Sequence, residues 1–266
     1  MIRETVIILC GGKGRRLGSL AERLPKVLAP VHDRPILWYV LMRLHQEGFR
    51  HFVLPLGYLG NEIRKFFERD LSGLGARVDL IETGEDTPVG TRLSLVRHAI
   101  DSEDFLLVNG DTLFDFDIAD MLARHRADRA DLTLTSCRII SQYGLLLVDD
   151  AGRVVDFVRD SMVNEFVVDT RGRQSGFINA GIAVLRRRTL DTPGVDSTPE
   201  FEQYLYPRII ASGAVRHHAI NGFWHAIDTQ KDLEVANSST DSDPRALGVR
   251  LLANKLRTYA AERQLA

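Results

Sequence analysis

The chain has 266 residues, 44% of them apolar, a formal net charge of −2 and two cysteines. That length suits one large α/β domain, or a domain with a small appendage. The near-neutral charge speaks against a nucleic-acid or anionic-membrane partner. No apolar run is long enough to be a signal peptide or to span a bilayer, so a cytoplasmic location is expected. Cys10 and Cys137 lie in apolar runs and read as reduced core thiols.

In chain order, residues 6–10 read as a buried strand. Residues 36–46 have helical periodicity and stop before Gly48. A strand follows over 51–55, a helix over 61–68, a strand over 77–81 and a helix over 91–100. Residues 105–108 form a buried strand ending at Asn109-Gly110-Asp111, then come a helix over 118–126 and a strand over 131–137. This βαβ alternation predicts a mainly parallel sheet with helices on both faces. The second half changes character. Strands over 143–148 and 153–158 flank Asp149-Asp150-Ala151-Gly152, a hairpin signal. A strand over 178–185, a helix over 201–211 and a strand over 214–220 follow. After a polar linker at 238–243, Leu247, Leu251, Leu252, Leu256 and Tyr259 form the apolar stripe of a C-terminal helix. The expected division is a main domain at 1–240 and a helical extension at 241–266.

The most informative stretch follows the first strand: Leu9-Cys10-Gly11-Gly12-Lys13-Gly14-Arg15-Arg16-Leu17, then Pro25-Lys26. Glycines let the backbone turn sharply and approach a ligand, and exposed N–H groups in such a loop attract anions. Arg16 and Lys26 add fixed positive charge. The loop is not a P-loop, because Gly-x-x-x-x-Gly-Lys-Ser/Thr is absent. It is not a full dinucleotide fingerprint either, because Leu17 stands where the third glycine belongs. Ligands of such sheets bind beyond the carboxyl ends of the strands, where this loop and Asp111 both fall.

With its Pro-Lys pair, the loop resembles that of the sugar-1-phosphate nucleotidyltransferases, Gly-Gly-x-Gly-Thr-Arg-Leu followed by Pro-Lys. This chain has Arg15 where that family has Thr. The resemblance implies an α/β, Rossmann-like (GT-A-like) fold: a mostly parallel central sheet with helices on both faces, plus the C-terminal helix. It implies transfer of a nucleoside monophosphate from a nucleoside triphosphate to a phosphorylated acceptor, a sugar 1-phosphate, with release of pyrophosphate. Such a reaction joins two polyanions, so the protein must cancel charge and align the groups. Mg²⁺ does this with a few carboxylates plus phosphate oxygens.

Residue by residue, the resemblance places Leu9, Gly11, Gly12 and Gly14 on the nucleotide. Arg16 falls on the leaving pyrophosphate, Lys26 on the reacting phosphates, and Asp111 and Asp228 on the metal. Asp228 lies in Gly222-Phe223-Trp224-His225-Ala226-Ile227-Asp228-Thr229, and its bland alternative is a helix N-cap, a duty Thr229 could share. Asp115 and Asp117 read as a helix-start cluster. Nucleobase contacts fall on residues 82–93, with Thr83, Gly84, Thr87 and Gly90. Their pattern Thr-Gly-Glu-x-Thr-x-x-Gly-x-Arg-Leu is similar to glucose-1-phosphate cytidylyltransferases, as are Pro35-Ile36-Leu37-Trp38 and Gly222-Phe223-Trp224, and CTP is favoured. Asn109-Gly110-Asp111-Thr112 followed by Phe114-Asp115 is more similar to heptose-phosphate guanylyltransferases.

The acceptor pieces are Tyr143-Gly144, Asn179-Ala180-Gly181 and Arg159. The family places a Glu-Lys pair after the hairpin phenylalanine; here Phe157-Val158-Arg159-Asp160 stands instead, and Arg159 is the candidate for the missing charge. The alternatives within this reading are guanylyl, uridylyl or thymidylyl transfer, or cytidylyl transfer to a non-sugar phosphate. Outside it stand a nucleotide-binding regulatory homologue without turnover and, more weakly, a dehydrogenase. A homo-oligomer is left open. Arg186-Arg187-Arg188 reads as a solvated turn. His217 and His218 share a strand and point to opposite faces, a poor metal pair.

Overall fold

The computed structural model describes residues 2–141, 143–159, 161–163, 165–169 and 173–265. Its centre is a seven-stranded sheet. In chain order the strands are β1 (Thr5–Leu9), β2 (His51–Leu56), β3 (Arg77–Glu82), β4 (Asp104–Asn109), β5 (Leu132–Cys137), β6 (Ile178–Arg186) and β7 (Val215–Ala219). Their spatial order is β7-β5-β6-β4-β1-β2-β3. Only β6 runs against its neighbours, antiparallel to both β4 and β5. The other pairings are parallel, with Ile7 level with Leu107 on one side and with Val53 on the other. The sheet is therefore mostly parallel, as the alternation predicted.

Successive side chains of a strand point to opposite faces. Val6 and Ile8 of β1 enter one core, and Ile7 enters the other. The larger core is covered by α1 (Ile36–Glu47), α2 (Gly60–Asp70), α4 (Ile118–Ala127), α6 (Gln230–Ala236) and α7 (Pro244–Glu262). The smaller one is covered by α3 (Val89–Val96) and α5 (Phe201–Ala211). A strand buried on both faces needs an uninterrupted apolar run, which is why 6–8 and 105–108 read so clearly. No helix among the described residues is long and apolar enough to cross a membrane.

The C-terminal helix packs on α1 and α6 and shares the larger core. Its buried stripe is Ala246, Val249, Leu252, Ala253, Leu256, Tyr259 and Ala260, one position away from part of the predicted stripe. Leu251 is 61% exposed. Alanines let the helix approach α1 closely, and a leucine count overlooks them. Tyr259 Oη lies 2.7 Å from His45 Nδ1 of α1.

Several charged residues do more than expected. Asp117 does cap α4, accepting from the Asp120 amide at 2.8 Å. Asp115 instead accepts from Arg43 Nε at 2.7 Å and from Lys255 Nζ at 2.8 Å, and so joins α1 to α7. Arg187 and Arg188 lie on an exposed turn, as read, but all three arginines at 186–188 have partners. Arg186 lies 3.5 Å from Asp104, Arg188 2.6 Å from Asp131, and Arg187 donates to Ile100 O, because β6 ends beside the beginnings of β4 and β5. His217 stacks on Phe177 and His218 lies near Phe116, on opposite faces as expected. Both cysteines are buried and unpaired, and burial pushes each thiol up to about 12.

At the amino end of the sheet, His51 lies between two carboxylates, 2.9 Å from Asp79 and 3.1 Å from Asp101. Arg77 reaches both, at 2.7 and 3.2 Å. Burial alone would raise Asp79. Hydrogen bonds from His51 and Arg77 outweigh it and hold the carboxyl below its ordinary value. Burial would raise Asp101 too, and hydrogen bonds from Thr5 and His51 likewise bring it lower. A depressed carboxylate contributes stability above its unfolded pKa of about 4 and loses it as pH falls through the folded value. His51→Ala is therefore expected to move the acid-unfolding midpoint to higher pH, read by circular dichroism. Leu256→Ala is expected to cost about 2–5 kcal/mol in a single denaturant transition of the whole chain, since its side chain is fully buried in the shared core.

Candidate active site

Three chain segments meet at the carboxyl ends of β1 and β4. The glycine loop leaves β1. A short 3₁₀ turn, Lys26–Leu28, follows Pro25, whose φ of −62° is the value its ring imposes. Beyond β4, Thr112–Asp115 pairs antiparallel with Phe223–Ala226, and the Ile227 amide bonds Asp111 O at 3.0 Å. That register carries Asp228 to Asp111 across 117 residues of sequence. The backbone of Asp228 is held from behind: Asp232 Oδ2 accepts from its amide at 3.2 Å and from that of Thr229 at 2.8 Å. Thr229, not Asp228, caps α6 in a capping box, so the Asp228 carboxylate is free to face the cleft.

The centre of the site is Lys26. Its ammonium lies 2.5 Å from Asp111 Oδ2 and 2.7 Å from Asp228 Oδ1, and its side chain is only 13% exposed. Arg16 approaches Asp228 at 3.4 Å. Burial by itself would lower Lys26, but the two carboxylates outweigh it and its pKa rises. Asp228 shows the converse. Burial pushes it up, and the hydrogen bond and charge of Lys26, with Arg16 behind, bring it below the ordinary carboxylate value.

Gly14 is needed for this arrangement. Its φ is +58°, and a Cβ there would lie 2.8 Å from Lys26 Cβ. A Cβ on Gly12 would meet open space, and one on Gly11 would strike the Arg92 guanidinium at 2.4 Å. Three glycines thus serve three purposes: Gly14 for conformation, Gly11 for packing, and Gly12 for open backbone at the cleft.

The cleft, about 810 Å³, is lined by the glycine loop, Arg15, Arg16, Lys26, Asp111, Asp228 and residues 85–89. Leu9, Gly11, Gly12, Gly14 and Thr87 of the expected nucleotide residues line it. Thr83, Gly84 and Gly90 do not. Thr83 is 7% exposed and its hydroxyl bonds Leu56 O at 2.6 Å. Gly90 packs so closely on Val195 that a Cβ would strike its carbonyl oxygen. Lys13 and Asp86 form a 2.6 Å ion pair between the two loops across the cleft, a contact no sequence pattern announced.

The expected acceptor residues do not gather around one cavity. Asn179 and Gly181 line a pocket of about 250 Å³ with Asn109 and Glu202. Tyr143 lines another of about 650 Å³ with Phe223 and Trp224, which touches the site through Arg16 and Asp228. Gly144 packs on the Phe157 ring, and Arg159 is exposed and lines neither. Asp160 lies outside the described residues. Among the described residues no group of three or more His, Cys, Asp or Glu could hold a metal ion. The two converging carboxylates are hard oxygen donors. They fit a cation such as Mg²⁺ that takes its remaining ligands from substrate phosphates and water.

A phosphate-seeking loop and a lysine between two carboxylates, at the strand ends of a parallel sheet, form a site suited to polyphosphate chemistry. The family model described as nucleotidyl transferase matches residues 5–170. The chain is 30% identical to a probable glucose-1-phosphate cytidylyltransferase of Bacillus subtilis, over 87% of this chain and 94% of that one. It is 29% identical to the D-glycero-alpha-D-manno-heptose 1-phosphate guanylyltransferase of Aneurinibacillus thermoaerophilus, over 74% and 81% respectively. HddC from Yersinia pseudotuberculosis has the same fold, with a TM-score of 0.67 at 23% identity, covering 88% of this chain and 98% of that one. The chain belongs to the nucleotidyl transferase family and is a nucleotidyltransferase.

Two glycine substitutions separate conformation from access. Gly14→Ala is expected to lower stability by about 1–2 kcal/mol, the cost of a left-handed non-glycine residue, whereas Gly12→Ala leaves stability within about 0.5 kcal/mol. Denaturant unfolding of both variants checks the difference.

Proposed function

We propose that the chain transfers a nucleoside monophosphate from a nucleoside triphosphate to a sugar 1-phosphate and releases pyrophosphate, with CTP as the favoured donor. The observation that carries this reading is Lys26 held between Asp111 and Asp228 on the floor of a cleft framed by the glycine loop. The names of the two relatives support a sugar 1-phosphate acceptor and divide over the base. The Thr83 to Leu93 motif and the Gly222-Phe223-Trp224 triplet support cytosine. Guanylyl transfer is the second reading, favoured by the nearly equal identity to the heptose enzyme.

The glycine-loop amides and Arg15 and Arg16 receive the β- and γ-phosphates, and Arg16 stabilises the departing pyrophosphate. Lys26 sits where the acceptor phosphate and the α-phosphate meet. It draws the two anions together and offsets charge in the transition state. The acceptor's phosphate oxygen attacks the α-phosphorus in line with the leaving oxygen, without a covalent intermediate. Asp111 and Asp228 would hold Mg²⁺, which when bound supplies charge neutralisation at the phosphates. The acceptor's body enters beside Asn109, Asn179 and Gly181, which line one pocket with Glu202 and several apolar residues. Tyr143, Gly144 and Arg159 are assigned to the acceptor's approach rather than to its sugar ring.

The test is pyrophosphate release with Mg²⁺, crossing CTP, GTP, UTP, ATP and dTTP with hexose, heptose and non-sugar phosphates. Release with CTP and one sugar 1-phosphate is expected. Lys26→Ala and Asp111→Asn are each expected to cut turnover by about 10²-fold or more. Unchanged turnover in both variants would overturn the assignment, and release only with GTP would move the base to guanine.

A further inference from the structure

Arg92 of α3 lines the cleft, yet its residue is only 5% exposed. A guanidinium carries five N–H donors in a rigid planar fork. All five are used inside the protein. Nε donates to Thr87 O at 2.9 Å. One terminal nitrogen donates to Leu56 O at 3.2 Å and to Thr83 Oγ1 at 2.5 Å. The other donates to Gly11 O at 3.2 Å and to Glu85 O at 3.0 Å. Leu56 ends β2, Gly11 follows β1, and residues 83–87 follow β3. One side chain therefore ties together the carboxyl ends of three adjacent strands.

Two glycines make room for it. A Cβ on Gly11 would lie 2.4 Å from a guanidinium nitrogen, and one on Gly57 would lie 2.6 Å away. Thr87 continues the brace, its hydroxyl donating to Thr83 O at 2.5 Å. With every donor committed to the protein, Arg92 has none left for a phosphate or a base. It differs in this from Arg16, whose side chain is 73% exposed.

We infer that Arg92 is a positioning residue that sets the spacing between the glycine loop and the 83–87 loop, and so the distance at which triphosphate and nucleobase can be held together. The part of this that concerns the nucleotide rests on the nucleotidyl-transfer reading of the cleft. The fork, rather than the charge, is what the geometry uses: four backbone carbonyls and one hydroxyl in fixed directions. A lysine would keep the charge and supply at most three donors from a single point.

The experiment compares Arg92→Lys and Gly57→Ala with the unaltered protein by amide hydrogen exchange without substrate and by steady-state kinetics. In both variants, the amides of Tyr58 and Thr83, which donate to Gly11 O and Leu56 O at the roots of the two loops, are expected to lose protection together while Asp104–Asn109 keeps its own. The KM for the nucleotide is expected to rise about tenfold or more, as displaced binding groups do, with the acceptor KM changed less than about threefold. Wild-type protection and nucleotide KM in Arg92→Lys would overturn the inference, because charge alone would then suffice. A general loss of protection that includes Asp104–Asn109, with both KM values unchanged, would also overturn it, as a merely structural role. Coupled loosening of the two loops in an enzyme whose unaltered form binds no nucleotide would instead retire the nucleotidyl reading and leave the loop-positioning role standing.

Discussion

The structure depends on one ammonium group held between two carboxylates that come from distant parts of the chain. Removing a charge from water is costly unless it is paired and hydrogen-bonded. Lys26 meets that condition only because Asp111 and Asp228 converge on it, 85 and 202 residues further along the chain. The two carboxylates in turn would repel each other without it. Three segments are thus mutually required, and each is fixed by different means. Lys26 follows a proline, Asp111 lies just beyond a buried strand, and Asp228 follows a short strand pair whose helix is capped by Thr229.

Most of the remaining architecture serves to bring these three together. In a parallel sheet all the strand ends of one kind lie on one side, so loops far apart in sequence become neighbours. The one reversed strand, β6, delivers Asn179 and Gly181 to the same side from its beginning rather than its end. Asp115, joined to Arg43 and Lys255, anchors the short strand that pairs with Phe223–Ala226. The C-terminal helix, through that contact, supports the element that carries Asp228.

The central sheet was legible because strands buried on both faces must be continuously apolar, and helices between them must show a 3.6-residue period. The glycine loop, Pro25-Lys26 and Asp111 were legible for a related reason: local backbone geometry and proximity to a strand end leave a local trace. Arg92 was not. Its neighbours Gly11, Leu56, Thr83, Glu85 and Thr87 come from two loops and the end of β2, and no spacing rule joins them. Thr83 and Gly90 were expected at the cleft and do not line it, for the converse reason. A threonine or glycine in a loop looks alike whether it faces a ligand or a neighbouring backbone. The ion pairs of Arg186 and Arg188 were not legible, because Asp104 begins β4 and Asp131 precedes β5, both far from them in the chain.

The amino-acid sequence alone determined the sheet, its order of strands and helices, and the glycine loop after β1, because periodicity and glycine conformation act over short stretches of chain. Only the tertiary structure decided which carboxylates meet Lys26, which glycines make room for Arg92, and that Asn179 and Gly181 line one pocket and Tyr143 another. Those outcomes depend on distances between segments that the chain brings together late, through packing and charge pairing across the whole fold.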